Sequence, residues 1–418
     1  MSATLFRNLA HHHKHLSRTM AILGLKSKGP SKPAHYDIER IVRPNILALT
    51  PYRCARDDYS AGVLLDANEN AYGPSIAIEE QKDSAAASTL ASMSAADIAQ
   101  LNRYPSPTHD ELKQAIAKLR GLPNEDWVFL GVGSDEVIDM LFRCLCVPAK
   151  DKVMVTPPSY GMYGVTAQVN DVGIVKVPLD EDFQLDEAGM DAAFADDVKL
   201  LFICSPGNPT STLIPLDAIR RIAENPRFKG LIVVDEAYID FAPEGTSAVE
   251  LVKEYANVCV SQTLSKSFGL AAIRLGYLMG APELIQVLTN AKAPYNVSLP
   301  TASLALASVS ESGLKVWEKN TKQLNANRDQ LIRDLQTVPN IGRIRGGNHA
   351  NFILVEVLTD GKPDSKRAFD VYKNMAENQG VVIRYRGSDH GCEGCVRITV
   401  GTEDECKQAV EKLRGLLA

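Results

Sequence analysis

From residue 126 onward, short apolar runs that end in turn residues alternate with stretches of helical periodicity. That alternation confines the chain to a few architectures. "DWVFLGVGSDE" (126 to 136), "DKVMVTPPSYG", "GIVKVPL", "VKLLFICSPGNPT", "GLIVVDEAYIDF" and "VCVSQTLSKSF" each read as a buried strand closed by a turn, and "DEVIDMLFRCLC" and "DAIRRIAENP" between them read as helices. Strand, helix and strand repeated in this way predict an α/β fold, with a mostly parallel central sheet flanked by helices. After about residue 314 the pattern changes. A long polar helix, "KVWEKNTKQLNANRDQLIRDLQ", precedes the strands "NFILVEV", "VVIRYR" and "CVRITVG", which predicts a smaller α+β domain.

Open parallel sheets collect ligands beyond the carboxyl ends of their strands. The polar residues there are Gly133, Ser134 and Asp135 after "VFL", Tyr160 after "VMV", Asn208 after "LLFIC", Asp235 and Tyr238 after "LIVV", and Thr263, Ser265 and Lys266 after "VCV". One ordinary topology gathers them all into a single crevice. "GVGSDE" lacks the third glycine of a dinucleotide fingerprint, yet a Gly-Ser turn that opens a helix still offers free backbone N–H groups to an anion. Asp235, directly after four apolar residues, is costly as a buried carboxylate without a partner. Lys266 satisfies it in a structural salt bridge, or a bound cationic ring does. An aspartate and a lysine at neighbouring strand ends, with phosphate donors around them, suit pyridoxal 5′-phosphate: the amine bonds the aldehyde and the carboxylate pairs with the ring nitrogen. Arg274, one or two helical turns beyond Lys266, reaches the same phosphate bidentately.

Composition narrows the alternatives. The 418 residues are 45% apolar and 23% charged, with a net charge of −6, so no basic field exists to hold nucleic acid. No apolar run approaches the ~20 residues of a membrane helix. The eight cysteines are scattered and read as reduced thiols of a cytosol-like compartment. "CEGC" (392 to 395) is a single pair, without the second pair a zinc site wants, and no metal is expected. The first 36 residues are basic, with no Asp or Glu before Asp37, and "HHHKH" (11 to 15) has no cysteine or carboxylate to complete a metal site. They read as a flexible extension of a cytoplasmic protein, or alternatively as a mitochondrial presequence. The Ala/Ser-rich stretch 81 to 97 reads as peripheral.

"SPGNPT", "DEAY" and "SKSFGLAAIRLG" resemble the pyridoxal-phosphate enzymes of the aspartate-aminotransferase fold (fold type I), and the intervals between Asn208, Asp235 and Lys266 agree. "VRPNILALTPYRCAR" (42 to 56), "LDANENAYGPS" (65 to 75), "LNRYPSP" (101 to 107), "PPSYGMY" (157 to 163), "VVDEAYIDF" (233 to 241) and "CVRITVGT" (395 to 402) narrow the resemblance to the histidinol-phosphate aminotransferase family, over about residues 38 to 418. It implies a basic extension (1–36), an N-terminal arm with part of a small domain (37–105), a large cofactor-binding domain (106–314) and a C-terminal small domain (315–418). It implies reversible, ping-pong transfer of an amino group from L-histidinol phosphate to 2-oxoglutarate, giving imidazole-acetol phosphate and L-glutamate, in histidine biosynthesis.

The resemblance also implies roles. Lys266 is the Schiff-base lysine and proton shuttle, and Asp235 holds the pyridine nitrogen. Asn208 and Tyr238 bond the ring's phenolic oxygen, and Tyr160 stacks on the ring. Ser134, Asp135, Thr263, Ser265 and Arg274 surround the cofactor phosphate, Asp135 through its backbone N–H. Tyr104 reaches that phosphate from the second subunit of a homodimer with shared active sites. Tyr52 crosses to the neighbour's substrate phosphate, Asn68 contacts substrate, and Arg384 and Arg397 divide the substrate's phosphate and the co-substrate's carboxylates between them. Gly207, Ser211, Ala71 and Ala272 depart from the family pattern, where Asn, Gly, Pro and Gly are usual; none removes a chemical group, so they bear on loop geometry. A related aromatic aminotransferase or amino-acid-phosphate decarboxylase shares every cofactor residue, and Tyr52, Arg384 and Arg397 argue against it. A cofactor-sensing regulator wants a DNA-binding module, which this acidic chain does not offer.

Overall fold

In the computed structural model, residues 27–50, 67, 69, 98 and 100–418 are described. The expectations for Tyr52, Asn68, the stretch 81 to 97 and most of the basic extension lie outside the described residues.

Seven strands form the main sheet: β1 (Val128–Val132), β2 (Lys152–Val155), β3 (Gly173–Lys176), β4 (Val198–Cys204), β5 (Leu231–Asp235), β6 (Val258–Thr263) and β7 (Leu275–Met279). Their order is β1-β7-β6-β5-β4-β2-β3. Neighbours from β3 to β6 pair in parallel, and β7 runs antiparallel to both β6 and β1. The sheet is therefore mostly parallel, as the strand–helix alternation predicts, with one reversed strand that the alternation does not reveal.

Burial explains why these strands read as unbroken apolar runs. In β4, Leu201 and Ile203 enter one core while Leu200 and Phe202 enter another; in β5, Ile232 and Val234 part from Leu231 and Val233 in the same way. Both faces are covered, so the period of two is hidden in the sequence. Helix Asp110–Leu119 packs Leu112 and Ile116 into the first core. Helices Gly133–Leu145 and Met162–Val169 line the second with Val137, Leu141 and Tyr163. Asp235, two positions past Val233, follows the second face, and the next residue, Glu236, turns to the first.

A smaller antiparallel sheet follows: β8 (Ile341–Arg345), β9 (Phe352–Thr359), β10 (Lys362–Pro363), β11 (Arg384–Tyr385) and β12 (Cys395–Thr399). The long polar helix is Glu311–Leu335, capped by the Ser310 hydroxyl on Gly313 N–H. It packs Leu331 and Leu335 with Ile353, Val355 and Val396, and with Leu413 of helix Glu403–Leu417. This sheet meets the main one where β12 reaches β4: the Arg397 guanidinium donates to Asn208 Oδ1 at 2.5 Å.

Candidate active site

The ends of β4, β5 and β6, the turn after β2 and the start of helix Gly133–Leu145 enclose one cavity of about 140 Å³. Ser134, Asp135, Tyr160, Asn208, Asp235, Tyr238, Thr263, Ser265, Lys266 and Arg274 all line it, with Cys204, Ala237 and Ala271. Of the strand-end and loop residues singled out from the sequence, these ten come together in the lining, and Gly133 opens the helix beside them.

Asp235 closes β5 and is 4% exposed. Its carboxylate accepts the Tyr163 hydroxyl at 2.6 Å and the Ala237 N–H at 3.3 Å. It is not ion-paired with Lys266, so the structural salt bridge left open by the sequence is not formed. Burial pushes the Asp235 carboxyl up, against those two donors. A carboxylate so placed calls for a cation inside the cavity, and the protonated nitrogen of a pyridine ring meets that demand.

Lys266 stands in the turn after β6, its Nζ 5.6 Å from the centre of the Tyr238 ring. Burial lowers its amine from the ordinary lysine value, and the Arg397 charge lowers it further. Both effects shift the balance toward the unprotonated, nucleophilic form. Tyr238 is buried edge-on against Phe352 at 5.0 Å.

At the other end of the cavity is an anion cradle. Helix Gly133–Leu145 has no side-chain cap, so the N–H groups of its first turn after Gly133 remain for a ligand. Gly133 has φ +72°, and a Cβ there would lie 2.5 Å from Arg274 Nη2; a Cβ on Gly276 of β7 would lie 2.3 Å from Ser134 N. Only glycines let β7, Arg274 and the helix start converge so closely. Arg274 itself is left-handed (φ 55°), and its carbonyl accepts the Gly133 N–H at 2.9 Å. The Asp135 carboxylate turns aside, accepting the Tyr160 hydroxyl at 3.1 Å and lying 3.5 Å from Arg274 Nη2. The Thr263 hydroxyl donates to the Leu275 carbonyl at 3.0 Å and accepts the Ser265 N–H at 3.1 Å. A guanidinium, two hydroxyls and a bare helix start suit a phosphate monoester. The cavity thus fits pyridoxal 5′-phosphate at both ends, with an amine between.

The main-sheet architecture and this geometry agree with the comparisons. The aminotransferase class I and II family matches residues 60–413. The histidinol-phosphate aminotransferase of Schizosaccharomyces pombe is 44% identical over 382 residues, which are 88% of this chain and 95% of that one. That of Candida maltosa is 45% identical over 397 residues, 91% and 98% of the two chains. The chain belongs to the histidinol-phosphate aminotransferase family. The fold agrees with the solved histidinol-phosphate aminotransferase of Sinorhizobium meliloti in complex with pyridoxal-5′-phosphate, with a TM-score of 0.68 over 84% of this chain and 89% of that one at 23% identity.

Other residues singled out from the sequence lie outside the cavity lining. Tyr104 is 55% exposed and stacks on Tyr295, ring centres 4.8 Å apart. Arg384 is exposed on β11, directly opposite Arg397 on β12. Arg397 is half-buried over the Phe352 ring at 5.1 Å and bonded to Asn208. Sequence reasoning missed Tyr163, whose hydroxyl holds Asp235. Tyr163 sits three residues after Tyr160, in the first turn of helix Met162–Val169, where an aromatic reads as core.

Proposed function

We propose that this chain, a histidinol-phosphate aminotransferase family member, uses pyridoxal 5′-phosphate to exchange an amino group between L-histidinol phosphate and 2-oxoglutarate. The products are imidazole-acetol phosphate and L-glutamate. One observation carries the reading: a buried aspartate and a lysine with a lowered amine, not bonded to each other, line one cavity whose far end is a phosphate cradle.

The cofactor supplies an electrophilic aldehyde and a pyridinium that takes up the electrons left at the substrate's Cα. Asp235 holds the positive charge on the ring nitrogen, and Tyr163 and the Ala237 N–H hold Asp235. Ser134, Asp135 (through its N–H), Thr263, Ser265 and Arg274 bind the phosphate, and Tyr160 packs on the ring. Asn208 and Tyr238 steady the ring's phenolic oxygen. Lys266 Nζ anchors the cofactor covalently between turnovers, then takes the Cα proton from the substrate and returns a proton to the product. Burial and the Arg397 charge lower this amine, in the direction that a proton-accepting role requires. Arg397 and Arg384 face each other across β11 and β12 and bind the anionic ends of the two substrates, with Tyr52 and Asn68 completing the substrate contacts.

We also infer a homodimer in which Tyr104 and Tyr52 reach the partner's site; the exposure of Tyr104 outside its own cavity supports it. We further infer a cytoplasmic location, which the free thiols among the described cysteines support, or alternatively a mitochondrial one if the basic extension is a presequence.

The test is a titration in two halves. L-histidinol phosphate should abolish the near-visible absorbance of the cofactor-loaded protein, and 2-oxoglutarate should restore it, without CO₂ release. Lys266→Ala should lose about 10⁴-fold or more in kcat, since it removes both the acid–base group and the covalent anchor. Bleaching by phosphate-free amines alone, or CO₂ evolution, would assign the site to another substrate.

A further inference from the structure

On the face of β5, β6 and β7 turned away from the cavity runs a buried chain of polar side chains that the chemistry above does not use. Glu236, 2% exposed, accepts from the Ser247 hydroxyl at 2.7 Å, the Ala248 N–H at 2.5 Å and the Gln262 amide at 2.8 Å. Gln262 in turn accepts the Tyr277 hydroxyl at 2.9 Å. Arg120, at the end of helix Asp110–Leu119, donates to the same phenolic oxygen at 3.1 and 3.3 Å. Its guanidinium also forks onto Asp240, Nη1 to Oδ1 at 2.8 Å and Nη2 to Oδ2 at 3.3 Å. Asp240 Oδ2 finally accepts the Ser267 hydroxyl.

The members of this chain are sequence neighbours of the groups that line the cavity. Glu236 follows Asp235, Ser267 follows Lys266, and Asp240 stands two residues after Tyr238, in the turn Ile239–Phe241. Lys266 needs such help. It lies on an irregular turn held by local hydrogen bonds, Gly269 N–H to the Lys266 carbonyl and Leu270 N–H to the Leu264 carbonyl, by the Leu264 N–H on the Leu275 carbonyl, and by the packing of Leu264, Phe268 and Leu270 on the first core. Beside the stacking of Phe268 on Trp317, at 5.4 Å, the Ser267 hydroxyl on Asp240 is a directional tie from this turn to the turn of Tyr238. Phe268 can slide on its partner; a hydroxyl on one carboxylate oxygen cannot. A guanidinium and a carboxylate at this depth cost desolvation that apolar side chains of the same volume would avoid. Their orientation is what apolar packing could not supply.

We propose that Asp240, clamped by Arg120 and receiving the Ser267 hydroxyl, is a positioning residue for Lys266: it ties the lysine's turn to the turn of Tyr238 and so sets the amine's place over the phenol. The inference rests on the reading under Proposed function. The experiment uses the cofactor-loaded full chain with Ser267→Ala, which deletes one hydroxyl and leaves the ion pair intact. Melting temperature and cofactor affinity should stay near wild type. Yet kcat should fall about tenfold with KM for L-histidinol phosphate unchanged, as a misplaced reactive group does. The induced circular dichroism of the cofactor band, which reads the ring's tilt, should weaken in parallel. Ser267→Thr, which keeps the hydroxyl, should recover both. If Ser267→Ala does not fold, Ser267→Cys carries the same readouts, because it keeps the volume and replaces the hydroxyl with a much weaker donor while leaving the Arg120–Asp240 pair intact. Wild-type kcat and dichroism in Ser267→Ala, or a deficit that Ser267→Thr shares in full, overturn the proposal. A wild-type protein inert toward L-histidinol phosphate would instead overturn the function, while the dichroism would still read the positioning.

Discussion

Ser211 occupies a backbone position that glycine would hold more cheaply. Its φ is 55°, it is fully buried, and its hydroxyl oxygen has no partner among the described residues. A left-handed L-residue costs roughly 1–2 kcal/mol, and a buried orphan hydroxyl costs about 1–3 kcal/mol more. Against that, glycine loses about 0.5–1 kcal/mol of additional chain entropy on folding. The sum favours glycine, so Ser211→Gly should stabilise the protein by about 1–2 kcal/mol, read as a higher urea midpoint at unchanged slope. The loop it sits in also carries Asn208, and its carbonyl accepts the His349 N–H at 2.9 Å. The chain keeps a strained, less stable residue beside a cavity group, at a position where the resemblance leads one to expect glycine. A lower midpoint for Ser211→Gly would mean that chain entropy outweighs strain at this position. Individual residues differ in how plainly the sequence shows them. Asp235 is legible because a carboxylate ending a run of four apolar residues has nowhere else to go. Tyr163 is not, because a tyrosine buried for its ring and one buried for its hydroxyl look alike until Asp235 is seen 2.6 Å away.

At the scale of elements, the anion cradle depends on β7 lying against the start of helix Gly133–Leu145. Gly276 makes that possible: an added methyl would meet Ser134 N at 2.3 Å and the Gly133 carbonyl carbon at 2.4 Å, both backbone atoms that cannot swing aside. Gly276→Ala should therefore force strand and helix apart, lowering stability by about 1–3 kcal/mol and weakening cofactor binding about tenfold, since the Ser134 N–H moves with the helix. Gly415→Ala is the contrast. It lies in helix Glu403–Leu417 with open space around it, and should add about 0.5–1 kcal/mol with no effect on cofactor affinity. Equal cofactor affinity in Gly276→Ala would show that the helix start does not touch the phosphate. β7 is also the element that the alternation of strands and helices does not disclose. Leu275–Met279 is short, contains a glycine, and follows the lysine loop with only the three-residue 3₁₀ turn Ala271–Ile273 between, so it lacks the crossover signature of its parallel neighbours. β11 shrinks for the opposite reason. Of the expected "VVIRYR" strand only Arg384–Tyr385 pairs, because it lies at the sheet's edge, where Val382 is 79% exposed and, among the described residues, no further strand continues the ladder.

For the molecule as a whole, the inferred sharing of sites between two subunits makes a prediction that one-chain enzymes cannot imitate. Tyr104 is exposed and outside its own cavity lining, whereas Lys266 is inside it. If Tyr104 serves the partner's phosphate cradle, Lys266→Ala and Tyr104→Ala damage the same site from different chains. Each variant alone should be poorly active, Lys266→Ala at any cofactor concentration and Tyr104→Ala at limiting cofactor. Mixed under conditions that exchange subunits, half of the dimers pair the two variants. One of their two sites then combines an intact Lys266 with an intact Tyr104. Limiting-cofactor activity should rise toward about a quarter of wild type at equal mixing, the statistical share of restored sites in a closed two-fold assembly. The gain should track the fraction of mixed dimers, measured by tagging one variant and isolating the doubly tagged species. Were Tyr104 to act within its own chain, every site in every mixture would keep one defect, and no mixing ratio would raise activity above the sum of the parents. A tyrosine that serves only to stack on Tyr295 would give the third pattern: Tyr104→Ala would leave cofactor affinity unchanged, and there would be no deficit to complement.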